Sequence, residues 1–141
     1  MRSWRNAALA VVLAFGAVLG ASQVSAVTDW KTKATVSSKT IVLDAVVAAW
    51  VDVAKPYSLR VRLRSPGHAQ TVTTNYSTFC VTASNEGTRE GEFSMALSGT
   101  TSWTVHAIPK PTGTWTECSV YLYVFSNATG RMEMQIQAKM R

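Results

Sequence analysis

The chain has 141 residues and a mass of 15.3 kDa, enough for one hydrophobic core and too short for an ordinary two-domain enzyme. Hydrophobic residues make up 47% and charged residues 16%, which excludes a disordered chain, since disorder goes with low apolar content and high charge. The net charge of +6 is partly owed to the first few residues and does not by itself point to a nucleic-acid partner.

Residues 1–6 carry Arg2 and Arg5 and no acid, and residues 7–20 form an unbroken run of apolar and glycine side chains. Val24, Ser25 and Ala26 then place small or tolerated residues where a signal peptidase reads, so residues 1–26 are expected to be a signal peptide and 27–141 a single secreted domain. The apolar run falls short of the roughly 20 residues that span a bilayer, which disfavours an uncleaved anchor. No later stretch is expected to span, because Asp44 and Asp52 interrupt the apolar segment 41–53. Losing Arg2 and Arg5 leaves 12 of the 14 basic side chains against 8 acidic ones, a net charge of +4 that only weakly favours anionic partners. Export also places Cys80 and Cys118 in an oxidising compartment, where an even count predicts a disulfide.

From residue 27 onward the pattern has period two, rich in Val, Thr, Tyr, Phe and Trp, with turn residues between the runs. Strands are predicted at 30–36, 59–64, 71–83, 92–98, 102–108, 117–126 and 131–140. Segment 41–53 has the length of either a buried helix or a long strand, and its many Val and Ile residues favour the strand. About eight strands at this spacing predict an all-β, two-sheet antiparallel sandwich, immunoglobulin-like or a related Greek key. The interval between the cysteines is short for the inter-sheet bridge of an antibody domain, so that connectivity is not expected.

Arg60, Arg62 and Arg64 share one face of the 59–64 strand, about 6.8 Å apart. Such a row suits phosphates, sulfates or anionic envelope polymers, with Lys31 and Lys33 as candidate neighbours, and equally suits a solvated face. In 117–126, Cys118, Val120, Leu122 and Val124 alternate with Tyr121, Tyr123 and Phe125, so both faces are apolar. Asn127-Ala128-Thr129-Gly130 reads as a bulged hairpin turn joining this strand to the next. That register sets Val124, Leu122 and Val120 beside Met134, Ile136 and Ala138 in the core, and the three rings beside Glu133, Gln135 and Gln137 outside. A slip of one residue instead buries the rings. In the bulged register, Tyr121, Tyr123 and Phe125 stack on sugar rings while Gln135 and Gln137 take their hydroxyls.

The prolines of Ile108-Pro109-Lys110-Pro111 stiffen a loop that is expected to protrude with Lys110, as in a secreted inhibitor. Met132, Met134 and Met140 with His68 and His106 raise copper, but Met at alternate strand positions also reads as a core stripe, so no metal or other cofactor is assigned. No nucleophile-elbow glycines surround any serine, and the carboxylates are scattered, so no catalytic residue and no enzyme activity is assigned. Export and the absence of a binding motif argue against nucleic acid. Asn75-Tyr76-Ser77 and Asn127-Ala128-Thr129 fit the glycosylation sequon. The expected function is binding at a cell surface or wall, of a polysaccharide or wall polymer; the competing expectation is a protein-interaction module, an inhibitor or a self-associating surface protein.

Overall fold

The computed structural model describes residues 26–38, 45–126 and 131–141. Eight strands are present among them: β1 Lys31–Ser38, β2 Ala45–Ala54, β3 Pro56–Arg64, β4 Gln70–Val81, β5 Glu86–Leu97, β6 Thr104–Ala107, β7 Glu117–Ser126 and β8 Met132–Met140. They form two antiparallel four-stranded sheets, ordered β1-β8-β3-β6 (sheet I) and β2-β7-β4-β5 (sheet II). No described helix is long and apolar enough to cross a membrane.

The pairing has a simple origin. The β4–β5 hairpin starts a ribbon in which β3 pairs with β6, β2 with β7 and β1 with β8. Rolling the ribbon up adds the β3–β8 and β4–β7 pairs and divides its strands between two sheets. This order is that of a jelly roll, the double Greek key, rather than an immunoglobulin sandwich. The ambiguous 41–53 segment is strand where it is described, as β2, with residues 41–44 outside the described residues.

Alternation decides what is inside. Leu59, Val61, Leu63, Met132, Met134, Ile136 and Ala138 point inward from sheet I, against Val47, Val53, Val72, Met95, Val120, Leu122 and Val124 from sheet II. The chain crosses from sheet II to sheet I in a single residue, Lys55, at φ 46°. Its N–H donates to the Thr116 carbonyl at 2.8 Å, and its carbonyl accepts from the Arg141 N–H at 2.9 Å. The predicted break at Lys55-Pro56 is therefore a sheet change made at one left-handed residue between β2 and β3.

Cys80 and Cys118 form the disulfide, directly opposite one another on β4 and β7 within sheet II. Trp115 packs with them in a small second core, its indole N–H donating to the Pro111 carbonyl at 2.9 Å. Strand β5 starts six residues earlier than predicted, at Glu86, because its glycines are packing positions and not breaks. A Cβ at Gly87 would meet Trp115 at 3.1 Å, and one at Gly91 would meet the Tyr76 hydroxyl at 3.0 Å.

Candidate functional site

The predicted β7–β8 hairpin register is corrected by the fold. The turn 127–130 lies outside the described residues, but β7 pairs with β2 and β4 in sheet II, whereas β8 pairs with β1 and β3 in sheet I. Core membership survives, since Val120, Leu122 and Val124 are buried with Met134, Ile136 and Ala138; the two sets meet across the sandwich and not side by side. The supposed single site is divided. Tyr121, Tyr123 and Phe125 lie on the outer face of sheet II, and Gln135 and Gln137 on the outer face of sheet I.

On sheet II the aromatic row is outside. Tyr121 and Phe125 are 42% and 41% exposed, and Trp50, beside Tyr121 on β2, is 70% exposed. Across the sheet, one row runs Trp50, Tyr121, Ser77, Glu90 and the next Ala48, Tyr123, Asn75, Glu92, with neighbours in a row one strand spacing of about 4.8 Å apart. The rings lean on one another, Tyr121 to Tyr123 at 5.1 Å and 50° and Tyr123 to Phe125 at 5.4 Å and 59°, an edge-tilted arrangement favoured by ring quadrupoles. Between β7 and β5, Tyr121 and Tyr123 border an open trough of about 390 Å³, floored by Asn75 and Ser77 and walled by Glu90 and Glu92. Asn75 Oδ1 is buried in it and accepts no hydrogen bond from any described residue. Hydrogen bonding to Tyr123 first, then desolvation and the charge of Tyr123 when ionised, hold the Tyr121 hydroxyl pKa above its ordinary value. Asp52, Glu86, Glu90, Glu92 and Glu117 all point outward from this sheet, and no Lys or Arg does among its described strand residues.

Sheet I is the opposite in charge. Arg60, Arg62 and Arg64 of β3 face Gln137, Gln135 and Glu133 of β8 in strict register. Arg60 Nε donates to Gln137 Oε1 at 2.8 Å, and Gln137 Nε2 donates onward to Thr32 Oγ1 at 3.0 Å. Arg62 donates to Gln135 Oε1 from Nε at 3.2 Å and Nη2 at 2.6 Å, while Arg64 forms an ion pair with Glu133 at 2.6 Å. Indole rings interleave the guanidinium groups: Trp30 lies 4.1 Å from Arg60, and Trp103 lies 4.6 Å from Arg62 and 4.2 Å from Arg64. The amides that were expected to serve a ligand on sheet II are thus occupied by arginine. Burial first, then the charges of Arg60 and Arg64, push the Arg62 guanidinium below its ordinary value, the signature of a crowded positive row with one acid for three bases. Lys31 and Lys33 sit on β1, with β8 between them and the arginines.

No family model matches this chain, and no curated protein matches it. Among solved structures it is similar to the "Structure of infectious bursal disease virus Gt strain", at 9% identity over 79% of this chain and 42% of that one, with a TM-score of 0.17. A likeness that slight carries no argument.

Other expected features fall elsewhere. The Lys110 loop is pinned to the body, with Thr78 Oγ1 donating to the Pro109 carbonyl at 2.9 Å and Trp115 to that of Pro111, and Lys110 itself is half-buried. It does not protrude. Met132 and Met134 are fully buried, and the His106 ring stacks on Phe93 at 3.8 Å, while His68 lies exposed on a turn. No group of three His, Cys, Asp or Glu suited to a metal occurs among the described residues. Of the two sequons, Asn75 lies in the sheet II trough and Asn127 outside the described residues.

Sequence reasoning missed Trp50, Glu90 and Glu92 on sheet II and Trp30 and Trp103 on sheet I. For Trp50 a signal existed, because Ala48, Trp50 and Asp52 alternate with Val47, Ala49, Val51 and Val53. Trp103 precedes β6 in an irregular loop, and only the fold brings it over Arg62 and Arg64. Trp103→Ala is expected to destabilise the protein by about 1–2 kcal/mol, since two guanidinium contacts are lost together. A urea-melt double-mutant cycle with Arg62→Ala checks it, and zero coupling would remove any energetic role from the stack.

Proposed function

We propose that the protein is a secreted, non-catalytic binding domain whose sheet II face takes an uncharged or cationic polysaccharide of a cell surface or wall. The observation that supports it is the outer-face row of exposed Trp50, Tyr121 and Phe125 with half-buried Tyr123, beside a trough lined by Asn75, Ser77, Glu90 and Glu92. Rings offer apolar faces for pyranoses to stack on, and the carboxylates and hydroxyl that line the trough offer acceptors for sugar hydroxyls. Five outward carboxylates and no opposing cation on that face disfavour a polyanion there. Secretion rests on the basic, apolar and small-residue order of residues 1–26.

Affinity electrophoresis and pull-down with neutral, amino and acidic polysaccharides test the proposal. Trp50→Ala and Tyr121→Ala are each expected to weaken binding about 30-fold, the effect of losing about 2 kcal/mol from a central aromatic contact. Binding of none of the polymers, or binding unchanged in both variants, overturns it.

A second reading, an interaction module that associates with itself, is favoured by the opposed charge of the two outer faces. The acidic aromatic face of one copy complements the arginine–tryptophan face of another, a head-to-tail contact that need not close. Sedimentation velocity separates the two: self-association predicts assemblies that dissolve in 1 M salt and in Trp50→Ala, whereas the polysaccharide reading predicts a monomer.

A further inference from the structure

We propose that a second site, on sheet I, binds a small anion carried on a ring, in the depression between Trp30, Tyr57, Arg60 and Lys110. The depression holds about 440 Å³ and includes Leu59, Val105 and Ile108 in its lining. That size falls within the range of about 300–1,000 Å³ that accommodates small ligands.

Its chemistry is uniform in sign. Arg60 and Lys110 line it, and the two aromatic side chains are each backed by a further cation, Lys139 at 5.3 Å from the Trp30 ring and Arg141 at 4.8 Å from the Tyr57 ring. No carboxylate lines the depression, and none of these four cations joins an ion pair among the described residues. Arg60 spends Nε on Gln137 and one guanidinium face on Trp30, and no described hydrogen bond engages its Nη atoms. Burial and then the charge of Arg141 hold the Lys110 ammonium below its ordinary value, a crowding of like charge that a bound anion relieves.

Apolar and aromatic lining without a cation selects a neutral ring, and cations without such a lining select any small ion. Together they select a ring that carries a carboxylate or sulfate, with the charge at Arg60 and Lys110 and the ring against Trp30 and Tyr57. The pinned 108–111 segment supplies rigidity, because the Ile108 N–H donates to the Leu59 carbonyl at 2.9 Å and the Pro109 carbonyl accepts from Thr78. This site does not rest on the sheet II proposal, since it lies on the other sheet.

Isothermal titration of the oxidised protein at low ionic strength with glucuronate, benzoate, glucose and acetate tests it. Saturable binding of glucuronate or benzoate is expected, with glucose and acetate at least 10-fold weaker. Glucuronate alone identifies a sugar acid as the ligand class, and benzoate alone an aromatic acid; either supports the site. Lys110→Gln and Arg60→Gln are each expected to weaken binding about 10-fold, and Trp50→Ala to leave it unchanged. Lys110 takes no part in the arginine row, so its variant retains the fold if Arg60→Gln does not. Failure of both ring anions to bind, acetate binding as tightly as they do, or full affinity in Lys110→Gln overturns the proposal.

Discussion

Cys80→Ala combined with Cys118→Ala is expected to lower the free energy of unfolding by about 4 kcal/mol, the chain-entropy cost of releasing a loop of this length. The bridge joins residues 38 apart and both cysteines are fully buried. Their strands are already aligned by the β4–β7 ladder on either side, from Thr73 opposite Phe125 to Val81 opposite Glu117. The folded state therefore changes little when the bond is removed, and the loss comes from the larger freedom of the unfolded chain. Urea melts of oxidised wild type, reduced wild type and the double variant check this. Reduction and substitution should give the same shift, and a loss under about 1 kcal/mol would mean that the bond hardly constrains the unfolded ensemble.

Leu122→Ala is expected to cost about 3 kcal/mol, while Tyr121→Ala, one residue away, costs less than about 1 kcal/mol. Leu122 is fully buried, in a core with Val47, Val72 and Ile136, and truncating it opens a cavity that the close-packed sheets fill only in part. Tyr121 loses one tilted ring contact on a solvated face. The pair of melts tests which face of β7 is inside, independently of any ligand. Equal costs would mean that the rings are core, and the sheet II site would fall with them. This contrast also protects the binding experiments, because Tyr121→Ala and Trp50→Ala remain folded proteins if the face assignment holds.

Much of the fold was legible in the residues. Period-two alternation in Leu59–Arg64 and Cys118–Phe125 reflects a strand with one buried face, and it located the arginine row on one side of β3 and the tyrosines together on one side of β7. Less of the site was legible. The 127–130 turn was read as joining sheet neighbours, because a short connection between two strands most often does so. In this chain both strands already have better partners. β7 is claimed by β2 and β4, and β8 by β1 and β3, so these two consecutive strands lie in different sheets. Gln135 and Gln137 consequently serve Arg62 and Arg60, while the tyrosines acquire Trp50, Asn75 and Glu92 instead. Lys110 was misplaced for a related reason. The prolines predicted stiffness correctly, but stiffness does not say whether a loop stands away from the body, and the hydrogen bonds from Thr78 and Trp115 hold it against the sandwich.

By itself the sequence determined which side chains share a face, that the chain is all-β, and that its two cysteines are available to one another, because these follow from local alternation, composition and count. Tertiary structure alone decided which faces meet. Strand partners such as β1 and β8 lie about a hundred residues apart, as Lys31 opposite Ala138 shows, and their choice depends on how the whole ribbon closes. Only that closure separates five outward carboxylates onto one sheet and three arginines onto the other, and so gives one small domain two outer faces of opposite charge.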